Sequence, residues 1–169
     1  MNRTSQTAAS AAHHLAPSLD FSPTPEESCP DEPPPDDGWI DGLGEIHDEH
    51  AVLLGHDIGI MCALIWRGCA EVTELDRAAR PEPAAADLVI LTDLDDKADV
   101  VGAIARARRG LVGCGRIVVR TCAQPTHQLR RAIIRSLQQH GFSVLRVSHQ
   151  NNRSVLSAES PMFGPLLRA

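Results

Sequence analysis

The amino-acid sequence predicts an α/β domain of three layers, with helices on both faces of a mostly parallel sheet of about six strands. Continuous apolar runs such as AVLL (51–54) and DLVIL (87–91) are typical of strands buried on both faces, and they alternate with segments of helical periodicity. Two alternating segments flank Asn151-Asn152, a tight-turn signal. The sheet is therefore expected to end with an antiparallel last strand.

Each element has its own local signal. The segment 58–67 is apolar nearly all round, as expected of a short helix packed against a sheet. The later helix has apolar residues at Leu129, Ile133 and Leu137, and Gly141 suits its C-terminal cap. The predicted strands are 51–54, 70–75, 87–91, 116–121, 142–148 and 154–159, and the predicted helices are 58–67, 96–111 and 126–141.

Charge and proline content divide the chain into two parts. The first 50 residues contain eleven acids and one base, and the remaining 119 contain fifteen bases and eleven acids, so the net charge of -6 divides into -10 and +4. Residues 1–37 are rich in Pro, Ser, Ala and acid without a core pattern, which predicts a disordered acidic tail with partner binding as the alternative. Residues 38–169 are predicted to form the folded domain.

Composition also bears on partners and location. A folded part with a charge near +4 and no Tyr does not favour nucleic-acid binding. No apolar run approaches the roughly 20 residues of a membrane helix, so no membrane partner is expected. The five cysteines form no C-x-x-C pair, which favours a reducing compartment, and the predicted location is cytoplasmic.

The order of these elements resembles that of class I S-adenosylmethionine-dependent methyltransferases from about residue 51 to residue 161. AVLLGHDIG stands where the family has V-L-D-x-G-C-G-x-G, and EVTELD ends the second strand in an acid. LVGCGRIVV is similar to the family's L-x-P-G-G-R turn and strand, and HGFSVLRV with NRSVLSAESP is similar to its closing hairpin. The resemblance implies a Rossmann-like methyltransferase sheet and S-adenosylmethionine as the cofactor.

The resemblance also implies roles for particular residues. Gly55, Asp57 and Gly59 would form the loop under the amino-acid end of the cofactor, and Asp76 would accept hydrogen bonds from its two ribose hydroxyls. Thr92 and Asp93 would lie at the mouth of the site, in the vicinity of the substrate. No catalytic residue is assigned, because methyl transfer depends mainly on positioning the nucleophile.

Three departures from the family pattern support an alternative function. Leu53 replaces the acid expected in the first strand, and Asp57 replaces the middle glycine of the loop, where a positive φ would strain it. Only ten residues separate Asp76 from Asp87, too few for the helix and strand that the family inserts there. The alternative to a methyltransferase of unknown substrate is therefore a pseudoenzyme, a catalytically inactive interaction or regulatory module that no longer binds the cofactor.

A metal site is a further alternative, because His47, His50 and His56 lie among acids in EIHDEHAVLLGHD. Their spacing matches no established motif such as H-E-x-x-H, so a solvated polar segment is the favoured interpretation and no metal is assigned.

A phosphoacceptor receiver domain is the structural competitor, since Asp57, Asp93 and Thr121 follow predicted strands. A receiver needs two acids after its first strand to hold Mg²⁺, and His56-Asp57 provides one. It also needs a Lys after a later strand, whereas Lys97 lies in a predicted helix, so this competitor is disfavoured.

Cys62 and Cys69 are interpreted as core residues, because neither has a clear base partner for nucleophilic catalysis. Six arginines on two predicted helices are interpreted as solvated faces rather than a phosphate-binding surface: Arg106, Arg108, Arg109, Arg130, Arg131 and Arg135.

Overall fold

The computed structural model of the protein describes residues 38–121, 124–150 and 153–161. The acidic tail predicted over 1–37 and the turn predicted at Asn151-Asn152 lie outside these residues and stay predictions. Within the described part of the chain, no helix has both the length and the apolar character that crossing a bilayer demands.

The described residues form six strands, three α-helices and one 3₁₀ turn. The strands are β1 (His50–Leu54), β2 (Glu71–Leu75), β3 (Ala86–Leu91), β4 (Leu111–Arg120), β5 (Ser143–Gln150) and β6 (Arg153–Glu159). The helices are α1 (Ile58–Trp66), α2 (Lys97–Gly110) and α3 (His127–Gln139), and the 3₁₀ turn is Asp41–Leu43.

One sheet joins all six strands in the order β2-β1-β3-β4-β6-β5. β2, β1, β3 and β4 pair in parallel, whereas β6 runs antiparallel to both β4 and β5. The predicted α/β class, the mostly parallel sheet and its antiparallel last strand are confirmed. A receiver domain has only parallel strands in the order 2-1-3-4-5, so the closing hairpin argues against that competitor.

β4 begins at Leu111, five residues before the predicted strand. The pairing of β3 with β4 shifts register between Ala86 and Leu88, so Leu111 pairs with Ala86 and Arg116 with Leu88. Such a bulge lets a strand continue through residues that a simple apolar pattern does not include.

The face of the sheet that carries α2 and α3 is closed by a large apolar core. Ile104 of α2 and Ile133 and Leu137 of α3 are fully buried against Val89 and Val119 of the sheet. Asp96 and Thr126 cap the two helices by accepting hydrogen bonds from Ala98 N and Leu129 N. The helical spacing predicted from the sequence therefore corresponds to the buried side of each helix.

The opposite face is covered by α1 and by the leading segment, residues 38–49. Trp39, Ile40 and Ile46 of this segment are buried together with Leu64 of α1. A side chain from β4 holds the segment in place, since Arg116 donates to the carbonyls of Leu43 and Glu45 and to the carboxylate of Glu49.

α1 is less covered than its apolar sequence suggests. Ile58, Ile65 and Trp66 are 64%, 46% and 48% exposed, although Ile60 and Leu64 are buried. The helix therefore packs through one side, and an all-round apolar sequence here does not mean all-round burial.

Candidate functional site

The carboxyl ends of the parallel strands bring six of the predicted site residues to one edge of the sheet. β1 lies between β2 and β3, so the strand order reverses beside β1, where folds of this type place their ligands. We call the residues at this edge the carboxyl-edge cluster, and its members are Gly55, Asp57, Gly59, Asp76, Thr92, Asp93 and Arg120.

Backbone hydrogen bonds tie the ends of β1, β2 and β3 together. Gly55 N donates to Leu75 O at 2.9 Å, and Thr92 N donates to Leu54 O at 3.2 Å. Gly55 therefore lies beside both the residue that precedes Asp76 and the first residue after β3.

Gly55 occupies a position that only glycine suits. Its φ is +124°, and a Cβ added to it would lie 2.1 Å from Thr92 Oγ1, well inside van der Waals contact. Thr92 is fully buried, and its Oγ1 has no hydrogen-bond partner among the described residues. A buried hydroxyl without a partner is uncommon in folded proteins and marks this place as one to explain.

Asp57 is not strained, contrary to the prediction made from the family's glycine loop. Its backbone is extended, with φ -157° and ψ 92°, because it is the N-cap of α1, and Oδ1 accepts from Ile60 N at 3.1 Å. Gly59 lies in the first turn of that helix, where an added Cβ would come within 3.3 Å of the same oxygen. The turn thus accommodates the carboxylate that replaces the family's glycine.

The second oxygen of Asp57 forms an ion pair that the sequence did not suggest. Arg120 Nη1, at the carboxyl end of β4, donates to Asp57 Oδ2 at 2.5 Å. The Arg120 side chain is 6% exposed and the Asp57 side chain 23% exposed. Arg120 Nε is buried and has no partner in the described part of the chain. The only sequence signal for Arg120 was a charged residue ending a buried strand.

Asp76 follows β2 and is exposed. One of its oxygens accepts from Ala78 N at 2.7 Å, and Ala79 N donates to its carbonyl at 2.8 Å, so the carboxylate is held by the turn that follows the strand. Near the same edge, the ring nitrogen Nδ1 of His56 contacts the Glu74 carboxylate.

Asp93 lies in the segment that follows β3. Its φ is +55°, the left-handed region that non-glycine residues seldom adopt and that Asp tolerates better than most. The next residue, Leu94, is buried and donates from its backbone to Arg120 O at 3.4 Å. Thr92 and Asp93 therefore lie close to the Arg120 end of β4.

Three residues considered in the sequence have a purely structural place. Leu53, which stands at the family's acid position, is fully buried in the core under α1. Cys62 is buried in α1, and Cys69 packs against the same core, with its thiol 3.6 Å from Ile46 O. Burial raises the pKa of the Cys69 thiol, Glu49 raises it further and Arg116 partly offsets the increase.

The three histidines considered as metal ligands have separate neighbours. His47 lies 2.9 Å from Asp48, His50 lies 3.7 Å from Glu71 and His56 contacts Glu74. Nowhere in the described ranges do three or more His, Cys, Asp or Glu residues form a group suited to a metal ion.

Comparison with known proteins gives a match in structure alone. No protein-family model and no curated protein sequence matches the chain. A proposed S-adenosylmethionine-dependent methyltransferase from Listeria monocytogenes superposes with a TM-score of 0.59 at 11% identity, over 73% of this chain and 96% of that one. An S-adenosylmethionine-dependent methyltransferase from Mesorhizobium loti gives 0.56 at 12% identity, over 74% and 98% of the two chains.

A third structure, the 1,6-didemethyltoxoflavin-N1-methyltransferase from Burkholderia thailandensis with bound S-adenosylhomocysteine, gives 0.57 at 11% identity, over 73% of this chain and 76% of that one. The chain has the class I methyltransferase fold. At these identities the likeness establishes the methyltransferase fold and leaves the chemistry of this chain to its own residues.

Within this methyltransferase fold, the connection from Asp76 to Ala86 is short. The described residues contain no helix or strand between β2 and β3, so β2 forms one margin of the sheet. Ala84 takes a φ of +52° inside this connection, an uncommon conformation for alanine. The shortening expected from the sequence is thus located between Asp76 and Ala86.

Proposed function

We propose that the chain binds S-adenosylmethionine at the carboxyl-edge cluster and is a methyltransferase whose substrate is unknown. The observation that carries the proposal is the hydrogen bond from Gly55 N to Leu75 O, which sets the loop glycine beside Asp76. A glycine with positive φ next to a strand-end carboxylate is the arrangement that a ribose and its neighbouring groups need.

Asp76 would receive the ribose. A carboxylate offers about four acceptor positions, and the bond from Ala78 N engages one of them. Acceptor capacity therefore remains for two hydroxyl donors. The exposure of Asp76 leaves the group accessible without a rearrangement of the sheet.

Asp57 and Arg120 would receive the amino-acid end. That end carries an ammonium and a carboxylate, and the ion pair carries the matching opposite charges. Asp57 would supply the negative charge that Leu53 cannot supply, and the unpartnered Nε of Arg120 would give the carboxylate a donor. Both side chains are already oriented by the cap of α1 and by β4, which lowers the entropy that binding must overcome.

Thr92 and Asp93 would lie near the methyl acceptor. When bound, the cofactor supplies an electrophilic methyl group on its sulfonium. Thr92 would orient a polar group through its unpartnered hydroxyl, and Asp93 would contribute a carboxylate beside it. Holding the acceptor in line is the main protein contribution that such a transfer requires.

A second candidate is favoured by the same ion pair. Asp57 already uses both oxygens, on Ile60 N and on Arg120, and in this state the pair closes on itself instead of on a ligand. A chain in which this pair is purely structural would be a pseudoenzyme, with the fold retained as an interaction or regulatory module.

Titration calorimetry with S-adenosylmethionine and S-adenosylhomocysteine separates the two candidates. A dissociation constant tighter than about 100 μM would stabilise the fold by about 1.4 kcal/mol at about 1 mM ligand, which a thermal melt also detects. We expect Asp76→Ala to weaken binding at least about tenfold and the control Asp99→Ala, an exposed acid on α2, to leave it within about twofold. An absence of binding for both ligands would favour the pseudoenzyme.

A further inference from the structure

α2 and α3 lie side by side on one face of the sheet, and a groove of about 350 Å³ runs between them on the outside. We call it the α2–α3 groove. Its lining residues are Lys97, Val101, Gln128, Arg131, Ala132, Arg135, Ser136 and Gln139. It lies on the outer surface of the two helices and shares no residue with the carboxyl-edge cluster.

The groove is strongly cationic. Its lining includes Lys97, Arg131 and Arg135 and no Asp or Glu. In the ranges that the structure describes, none of these three cations forms an ion pair with an acid. Three like charges facing one groove without a counter-charge repel each other, and an anion between them relieves that repulsion.

A buried hydroxyl adds a second, independent feature. Ser136 is 1% exposed, and its Oγ has no hydrogen-bond partner among the described residues. A serine inside a helix ordinarily bonds back to the carbonyl four residues earlier, so an unpartnered Oγ in the wall of a groove is unusual. The amides of Gln128 and Gln139 provide further donors along the same wall.

We propose that the α2–α3 groove binds the phosphate group of a small phosphorylated molecule. Two guanidinium groups one helical turn apart match the oxygens of a phosphate or diphosphate, and Lys97 adds a point charge from the facing helix. The hydroxyl and the amides supply hydrogen bonds to the remaining oxygens. A volume of about 350 Å³ suits a small ligand rather than a macromolecule. This proposal does not depend on cofactor binding elsewhere.

Calorimetric titration of the full chain with inorganic pyrophosphate tests the proposal. At about 50 mM salt we expect saturable one-site binding with a dissociation constant below about 1 mM. Arg131→Gln/Arg135→Gln should weaken it at least about tenfold, and Ser136→Ala about threefold. Arg131→Lys/Arg135→Lys keeps the charge and loses the bidentate geometry, so it should weaken binding by an intermediate factor.

The matched control is Arg109→Gln/Arg130→Gln, which removes the same amount of charge at two positions outside the groove, one on α2 and one on α3. It should change the dissociation constant by less than about twofold. Equal weakening in the control and the groove variant would overturn the proposal, because the effect would then be general charge attraction. A titration of the unaltered chain without saturation would overturn it as well. Thermal melts of every variant identify any loss that comes from unfolding.

Discussion

Two arginines of one strand, Arg116 in the middle of β4 and Arg120 at its carboxyl end, are used in different ways. Arg116, 20% exposed, donates to two carbonyls and pairs with Glu49 at 2.5 Å. Arg120, 6% exposed at the carboxyl end, pairs with Asp57 at 2.5 Å and keeps a buried Nε without a partner. The arginine with the more complete set of hydrogen bonds, Arg116, is also the more exposed of the two.

Under the proposed function, the difference separates structural from functional use of the same side chain. Arg116 donates its hydrogen bonds to the leading segment, which covers one face of the sheet together with α1. Arg120 is held in a place where its desolvation is costly and its donors are incompletely used, which a protein tolerates where a ligand completes the set. Arg120 therefore retains a buried donor without a partner, whereas the described residues leave no buried donor of Arg116 unpartnered.

The strongest test of this comparison is Asp57→Asn. Asn still caps α1, so the substitution removes mainly the charge opposite Arg120. Leaving a buried guanidinium unpaired should lower the free energy of unfolding by about 3 kcal/mol, discounted slightly for the partial exposure of Asp57. Urea denaturation followed by circular dichroism measures it. Asp57→Asn/Arg120→Met should recover at least half of the loss, and a loss below about 1 kcal/mol would make the two arginines equivalent.

A smaller loss of stability is expected from substitution of Arg116. Arg116→Ala removes three bonds, of which one is exposed and two are partly buried, so we expect a loss of about 1–2 kcal/mol. In this variant, the backbone amides of Leu43 and Glu49 should exchange with solvent faster than in the unaltered chain, and their exchange should increase more than that of the sheet amides. Hydrogen-exchange measurements resolve this difference. Arg146→Ala, which removes one exposed bond to Gly42 O, is the control. Unchanged exchange at Leu43 would mean that the leading segment keeps its structure without the bonds from Arg116.

The smallest expected effect concerns Cys69, because the charges of Glu49 and Arg116 both shift the pKa of its thiol. Burial and Glu49 raise the pKa of its thiol, so at about pH 8 less thiolate is present and alkylation should be several-fold slower than at the exposed Cys114. Glu49→Gln removes a charge that raises the pKa, so the pKa should fall and the rate should rise about twofold.

Site-resolved mass spectrometry over a range of pH distinguishes the causes in that experiment. A shift of the rate profile along the pH axis indicates the charge of Glu49, whereas a uniform increase at every pH indicates opening of the leading segment. A profile shifted towards higher pH would contradict the expected sign.

The strands and helices were predictable because their signals are local. Continuous apolar runs indicated β1 and β3, and helical spacing indicated which side of α3 faces the sheet. Gly55 was assigned to the turn after β1 by the family resemblance, and the structure gives it a positive φ there. These features depend on neighbours within a few residues.

The Asp57–Arg120 pair was not predictable in this way, because its partners are 63 residues apart and neither has a local signal for the other. The expected strain at Asp57 was wrong for a related reason: the family's loop suggested a positive φ, but the helix begins at Ile58 and makes Asp57 its cap. The exposed side of α1 was not predicted either. When a helix is apolar on every side, its sequence does not indicate which side packs against the sheet and which side is left exposed.

The margin at β2 has a consequence for how copies of the chain meet. An outer strand leaves half of its backbone hydrogen-bonding groups open, and another strand can dock there. Glu71 and Glu74 lie along β2, so two copies paired through it would collect four carboxylates in one seam. Repulsion between these carboxylates disfavours pairing of two copies through β2, the edge strand that the short connection leaves uncovered. A strand with positively charged side chains would not be repelled in this way.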